Sequence, residues 1–141
     1  FEPKILVEEA FYQAGGGPLR DYKLHVMNGS VRAICVVGAV FRINRADRLF
    51  FNDDWKLFAS TQTKPLLDEN LYRRPAALDE MIAAAQRLGQ GLDFIRADMY
   101  NTTCGVRLGE ITLYPFAEMP GSPSACAQFN KWLGHQWQLP V

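Results

Sequence analysis

The 141-residue chain has no excess charge of either sign: lysine plus arginine and aspartate plus glutamate number 15 each. No global field therefore draws it to nucleic acid or to an acidic membrane surface, and any anion-binding charge has to be local. Cysteine is scarce. Cys35, Cys104 and Cys126 are odd in number, widely spaced and without a Cys-x-x-Cys, which argues against a disulfide framework or a zinc site and suits a reducing cytoplasm. No apolar run approaches the ~20 residues needed to span a bilayer, and nothing resembles a signal peptide. Histidine is limited to His25 and His135, with no nucleophile elbow near either, so a catalytic triad is not indicated. Internal repeats and low-complexity stretches are missing as well. What is present is a hydrophobic content of 48%, enough to build a core, in a length that fits one domain over residues 1–141. Because the chain starts at Phe1 without an initiator methionine, it reads as a cut through a longer protein.

Turn and periodicity signals divide the chain. Residues 4–9 form a short, strand-like apolar run ending in Glu8-Glu9, followed by the flexible Ala14-Gly15-Gly16-Gly17-Pro18. The triple glycine invites comparison with a phosphate loop, but no Gly-Lys-Ser/Thr and no helical pattern follow it, so a plain connection is expected. Residues 21–27 alternate, Asn28-Gly29 is a strong two-residue turn signal, and the β-branched residues 31–41 complete a hairpin. Residues 44–75 show no sustained period and read as a long excursion of the kind that often carries function. Leu78, Met81, Ile82, Ala85 and Leu88 recur at helical spacing, with Asp79 and Glu80 early, Arg87 late, and Gly89 and Gly91 as terminators. A last amphipathic helix begins near Ser122-Pro123 and runs through Phe129, Trp132 and Leu133. The expected class is α+β: an antiparallel sheet with helices packed on one face.

The chemistry concentrates in the last hairpin, in the segments 94–100 and 105–114. If its loop closes as three residues around Thr103-Cys104-Gly105, Asp98 faces Glu110 and Arg96 faces Thr112. Like charges directly opposite in a sheet repel unless a cation or a proton sits between them. Two hard oxygen donors about 5 Å apart at their Cβ atoms, beside a hydroxyl and an arginine, suit Mg²⁺ and a phosphate. The alternative is a pair of carboxylates facing solvent. A glycosidase also needs two carboxylates, but Arg-x-Asp beside Glu-x-Thr matches anion plus metal better than sugar cleavage. Arg42, Arg45 and Arg48 are either a phosphate patch or a charged sheet edge that blocks aggregation. Trp55 after Asp53-Asp54 is either a stacking platform or a partly buried aromatic.

These residues resemble a family. Arg96-x-Asp98, followed twelve positions after the aspartate by Glu110-x-Thr112, resembles the metal-binding end of ATP-grasp ligases. Lys4-Ile5-Leu6-Val7-Glu8-Glu9, Asp21-Tyr22-Lys23 with Asn28-Gly29, Asp54-Trp55, the segment 94–100 and Gly109-Glu110-Ile111-Thr112-Leu113-Tyr114-Pro115 together resemble the TupA-like ATP-grasp family, in the family's order. The resemblance implies the C-terminal lobe of the ATP-grasp fold, with ATP and Mg²⁺ as cofactors. It implies an ADP-forming carboxylate-amine ligase in the synthesis of bacterial cell-surface polysaccharide or teichuronopeptide, acting on small or polymer-linked carboxylates and amines. On this reading Glu8, Glu9, Ala10 and Phe11 form the hinge strand that meets adenine, Lys23 and Arg42 approach the phosphates, and Arg96 stabilises the transferred phosphoryl group. Asp98 and Glu110 would hold Mg²⁺, with Thr112 where other branches carry asparagine. Phe116-Ala117-Glu118-Met119 departs from the glycine-rich turn expected after Pro115. The lobe with the glycine-rich lid would precede Phe1, so the chain alone is expected to bind Mg·ATP weakly and to show no ligase turnover. The second reading is a non-catalytic binding domain, a remnant of such a lobe.

Overall fold

The computed structural model describes residues 3–5, 7–38, 48–60, 73–113 and 124–138. Among these described residues eight elements follow in order: β1 (Asp21–Met27), β2 (Ser30–Val37), β3 (Arg48–Phe51), β4 (Leu57–Ser60), α1 (Leu78–Leu88), β5 (Phe94–Thr102), β6 (Gly105–Thr112) and α2 (Ser124–Gln136). The strands form one six-stranded sheet in the order β4-β3-β2-β1-β5-β6, with every neighbouring pair antiparallel. The expected α+β class is what the chain adopts.

The β1–β2 turn is built as its sequence demands. Asn28 and Gly29 both take positive φ, 48° and 74°, which matches the twist of a two-residue hairpin. Helix α1 stops at Gly89, where an added Cβ would lie 2.6 Å from Cγ1 of Val26, so only glycine lets the helix end pass this close to β1.

Alternation along β1, β2 and β5 splits their side chains between two cores. Tyr22, Leu24, Val26, Ile34, Val36, Ile95 and Ala97 pack with Leu78, Met81 and Ala85 of α1. Met27, Ala33, Cys35, Phe50 and Phe94 pack with Phe129 and Leu133 of α2. Adjacent residues of one strand point to opposite sides, so the helices cover opposite faces and not, as expected, a single one. Two amphipathic stripes on a sheet that is apolar on both faces require this arrangement. The end of α2 is tied back by Asn28 Nδ2 donating to the Gln138 carbonyl at 3.2 Å and by Trp137 Nε1 donating to Asp93 at 3.3 Å.

Two further expectations are corrected. Within 44–75, the apolar runs at 48–51 and 57–60 pair as β3 and β4, extending the sheet beyond β2. They are too short for periodicity to reveal. At the other end of the chain, residues 7–12 run outside any strand, and Ile5 and Val7 are 92% and 86% exposed. A hinge strand is therefore not formed at Glu8, Glu9, Ala10 and Phe11; the first three are exposed and Phe11 is half-buried. Among the described residues before β1, the backbone meets the sheet in an isolated bridge of Gln13 to Thr102, where Ala14 N donates to the Asn101 carbonyl and Thr103 N to the Tyr12 carbonyl, each at 2.9 Å.

Candidate functional site

The face that carries α2 has a second, polar half, assembled across β1, β5 and β6. Lys23 pairs with Asp98 and His25 with Arg96 across β1–β5, while Asp98 pairs with Glu110 and Arg96 with Thr112 across β5–β6. The facing of Asp98 and Glu110 is as expected, but its cause differs. The turn has two residues, with Thr102 opposite Gly105, and a bulge between Asp98 and Met99 takes up one residue of β6 before Glu110. Gly109 is the inserted residue, and a Cβ there would meet the Tyr100 ring at 2.6 Å.

Asp98 is the centre of the network. Arg96 Nε donates to Asp98 Oδ1 at 2.6 Å and Arg96 Nη2 to Oδ2 at 2.8 Å, a two-point clamp. Lys23 Nζ reaches the same Oδ2 at 2.5 Å. The clamp continues outward, Arg96 Nη2 donating to Thr112 Oγ1 at 3.2 Å and that hydroxyl to Glu110 Oε1 at 3.0 Å. The cation required between the opposed carboxylates is thus supplied by the protein itself. Exposure grades along the chain of contacts, from the Asp98 side chain at 4% and Arg96 at 18% to Glu110, which faces solvent.

Burial opposes the charge on Lys23 and on Arg96, yet hydrogen bonds from Lys23 to Asp21 and Asp98, and from Arg96 to Asp98, outweigh it and raise both pKa values above their ordinary positions. Both remain cations at neutral pH. Burial followed by the Arg96 charge pushes His25 down to about 3, so its ring is neutral, and it packs edge-on against Phe129 at 5.6 Å. Burial raises the Cys35 thiol to about 12, which leaves it inert.

Five expected site residues come together: Lys23, Arg96, Asp98, Glu110 and Thr112. Residues 8–11 are not joined to this network by any hydrogen bond or ion pair among the described residues, and Arg42 lies outside them, as do Arg45 and the segment 116–119. Arg48 begins β3 as an exposed residue. Trp55 stacks on Phe51 at 4.1 Å and 4°, on the α1 side of the sheet, so the partly buried aromatic is the correct alternative. Asp21 is the addition. Its Oδ2 lies 2.6 Å from Lys23 Nζ, and spacing of two along β1 is the signal that places it on the face of Lys23.

The model of the family described as TupA-like ATPgrasp matches residues 1–138. The chain belongs to the TupA-like ATPgrasp family. Comparison with curated proteins and with solved structures found no match. Membership makes this an ATP-grasp-like domain, and ATP binding and ligase chemistry are the family's general character.

ATP-grasp proteins generally use Mg²⁺ with ATP. Among the described residues no three His, Cys, Asp or Glu side chains cluster as a metal site. Asp98, Glu110 and the Thr112 hydroxyl nonetheless fit the ion in kind: they are hard oxygens, and Mg²⁺ is commonly held by one or two carboxylates with water and phosphate oxygens completing its shell. Among the described residues no helix of this TupA-like ATPgrasp domain is long and apolar enough to cross a membrane.

Proposed function

We propose that this domain forms the metal and phosphate wall of an ATP-dependent carboxylate-amine ligase, in which ATP phosphorylates a carboxylate and an amine then displaces phosphate from the acyl phosphate. One observation carries the reading: two opposed carboxylates, Asp98 and Glu110, share a sheet face with two retained cations, Lys23 and Arg96. Phosphoryl transfer needs little covalent help from a protein; it needs positioning and charge stabilisation.

Asp98 and Glu110, with Thr112 beside them, would hold Mg²⁺, which when bound neutralises charge on the phosphate oxygens. Arg96 presents a planar guanidinium suited to the equatorial oxygens of a phosphoryl group, and Lys23 adds a compact point charge. Arg42 is proposed as a further phosphate contact and the backbone of Glu8, Glu9, Ala10 and Phe11 as the adenine contact, both on family resemblance. The same resemblance supports a role in bacterial cell-surface polysaccharide or teichuronopeptide synthesis and a second, glycine-rich lobe as the opposite wall of the cleft.

Calorimetric titration with Mg·ATP, paired with an ADP-release assay, tests the assignment. Asp98→Asn should lower Mg·ATP affinity at least tenfold, which is about 1.4 kcal/mol. Unchanged binding would remove the metal role and favour a binding domain of another kind.

A further inference from the structure

We propose that Asp21 is a positioning residue for Lys23, the carboxylate that keeps its ammonium on this face when Asp98 takes a metal; the inference rests on the Mg²⁺ reading of Asp98. The Lys23 ammonium lies between two carboxylates, 2.6 Å from Asp21 Oδ2 and 2.5 Å from Asp98 Oδ2. Both oxygens of Asp98 are already committed, Oδ1 to Arg96 and Oδ2 to Arg96 and Lys23 together. A divalent ion arriving there shares an oxygen with an ammonium or a guanidinium, and like charges at that separation repel strongly. At least one cation must let go.

The two cations have different second partners. Arg96 keeps Thr112. Lys23 keeps Asp21, two residues away on the same strand face and buried to 7% exposure. Asp21 also has capacity in reserve, because its Oδ1 is buried without a hydrogen-bond partner among the described residues. Such an acceptor is costly unless something donates to it, and an ammonium has three N–H groups with which to do so. Burial raises the pKa of Asp21 despite the adjoining lysine, so the carboxylate gains from every further contact with that cation. Without Asp21, a lysine released by Asp98 would swing into solvent on its four-carbon stem and be lost to the phosphates.

Nitrogen-15 spectroscopy of the Lys23 ammonium, recorded on this chain with and without saturating Mg·ATP, tests the proposal. In the unsubstituted chain the ammonium protons should stay slow to exchange after Mg·ATP is added, while the Asp98 carboxylate carbon shifts. In Asp21→Asn, exchange should be unchanged before addition and should accelerate at least tenfold after it; Asp21→Glu should restore protection. Asp21→Ser gives the same reading should the asparagine variant fail to fold. Equal exchange after Mg·ATP in the unsubstituted chain and in Asp21→Asn overturns the proposal and leaves the metal reading intact. An Asp98 carbon that does not respond to Mg·ATP in the unsubstituted chain overturns the metal reading and this inference with it.

Discussion

His25 stands at the border between the apolar and polar halves of one sheet face, beside Phe94, Phe129 and, across the strand pair, Arg96. Its Nδ1 is buried without a hydrogen-bond partner among the described residues, so protonating the ring would place a charge in an apolar setting next to a guanidinium. Its folded-state pKa of about 3 lies below the ordinary 6.5, which fixes the sign: the unfolded chain takes up the proton first. The contribution to stability is complete above pH 6.5 and is lost as pH falls from there towards 3, at about 1.4 kcal/mol per pH unit. Urea denaturation at pH 7 and pH 5 should therefore show a loss about 2 kcal/mol larger in the unsubstituted chain than in His25→Phe; parallel losses would refute it. Asp98 invites the opposite kind of test. Because it occupies both Lys23 and Arg96, Asp98→Asn should release two cations while weakening the metal site. Metal-free pyrophosphate should then bind more tightly, on the order of tenfold, as Mg·ATP binds less tightly. Loss of both affinities in calorimetric titrations would mean that the cations are not held back by Asp98.

Among the elements, the β5–β6 hairpin decides where Glu110 and Thr112 point. A two-residue turn sets one register near Thr102 and Gly105, and the bulge at Gly109 converts it into the register that faces Asp98 with Glu110. A side chain at Gly109 meets the Tyr100 ring at 2.6 Å and the Asp98 carbonyl at 3.4 Å, so Gly109→Ala should cost roughly 1 to 3 kcal/mol in urea denaturation. It should also disturb the Arg96–Thr112–Glu110 relay, seen as weaker Mg²⁺ binding. An alanine tolerated without either effect would show that the bulge does not set the site. Alternation by two made the shared face of Arg96 and Asp98 readable from sequence, as it did that of Asp21 and Lys23. The bulge was not readable, because a glycine in a strand signals an irregularity without giving its register consequence. Strands β3 and β4 escaped for a related reason: four residues each, they carry too few alternations to stand out from loop sequence. The ion-pair network itself was not readable, because the opposed carboxylates call for a cation or a proton between them without showing that Lys23 reaches Asp98 from the neighbouring strand.

For the molecule as a whole, the sheet is a middle layer whose two faces answer to different helices, and this arrangement has a measurable signature. Phe129 anchors α2, stacking on Phe50 at 4.1 Å and meeting His25 edge-on at 5.6 Å. Met81 anchors α1 on the other side, fully buried among Leu24, Val26 and their neighbours. Truncating either should cost several kcal/mol at pH 7, about 3 to 5 for Phe129→Ala and about 2 to 5 for Met81→Ala, through lost burial and residual cavity. Their pH dependence should differ. Removing the Phe129 ring lets water approach His25, eases the burial that depresses its pKa, and so flattens the acid loss of stability. Met81→Ala opens a cavity on the face that His25 does not share and should leave the slope unchanged. Urea denaturation of both variants between pH 7 and pH 5 distinguishes the cases: the penalty for Phe129→Ala should shrink by about 1 kcal/mol or more as His25 begins to accept a proton, while that for Met81→Ala stays constant within error. A slope change in both, or in Met81→Ala alone, would contradict the assignment of the two helices to opposite faces.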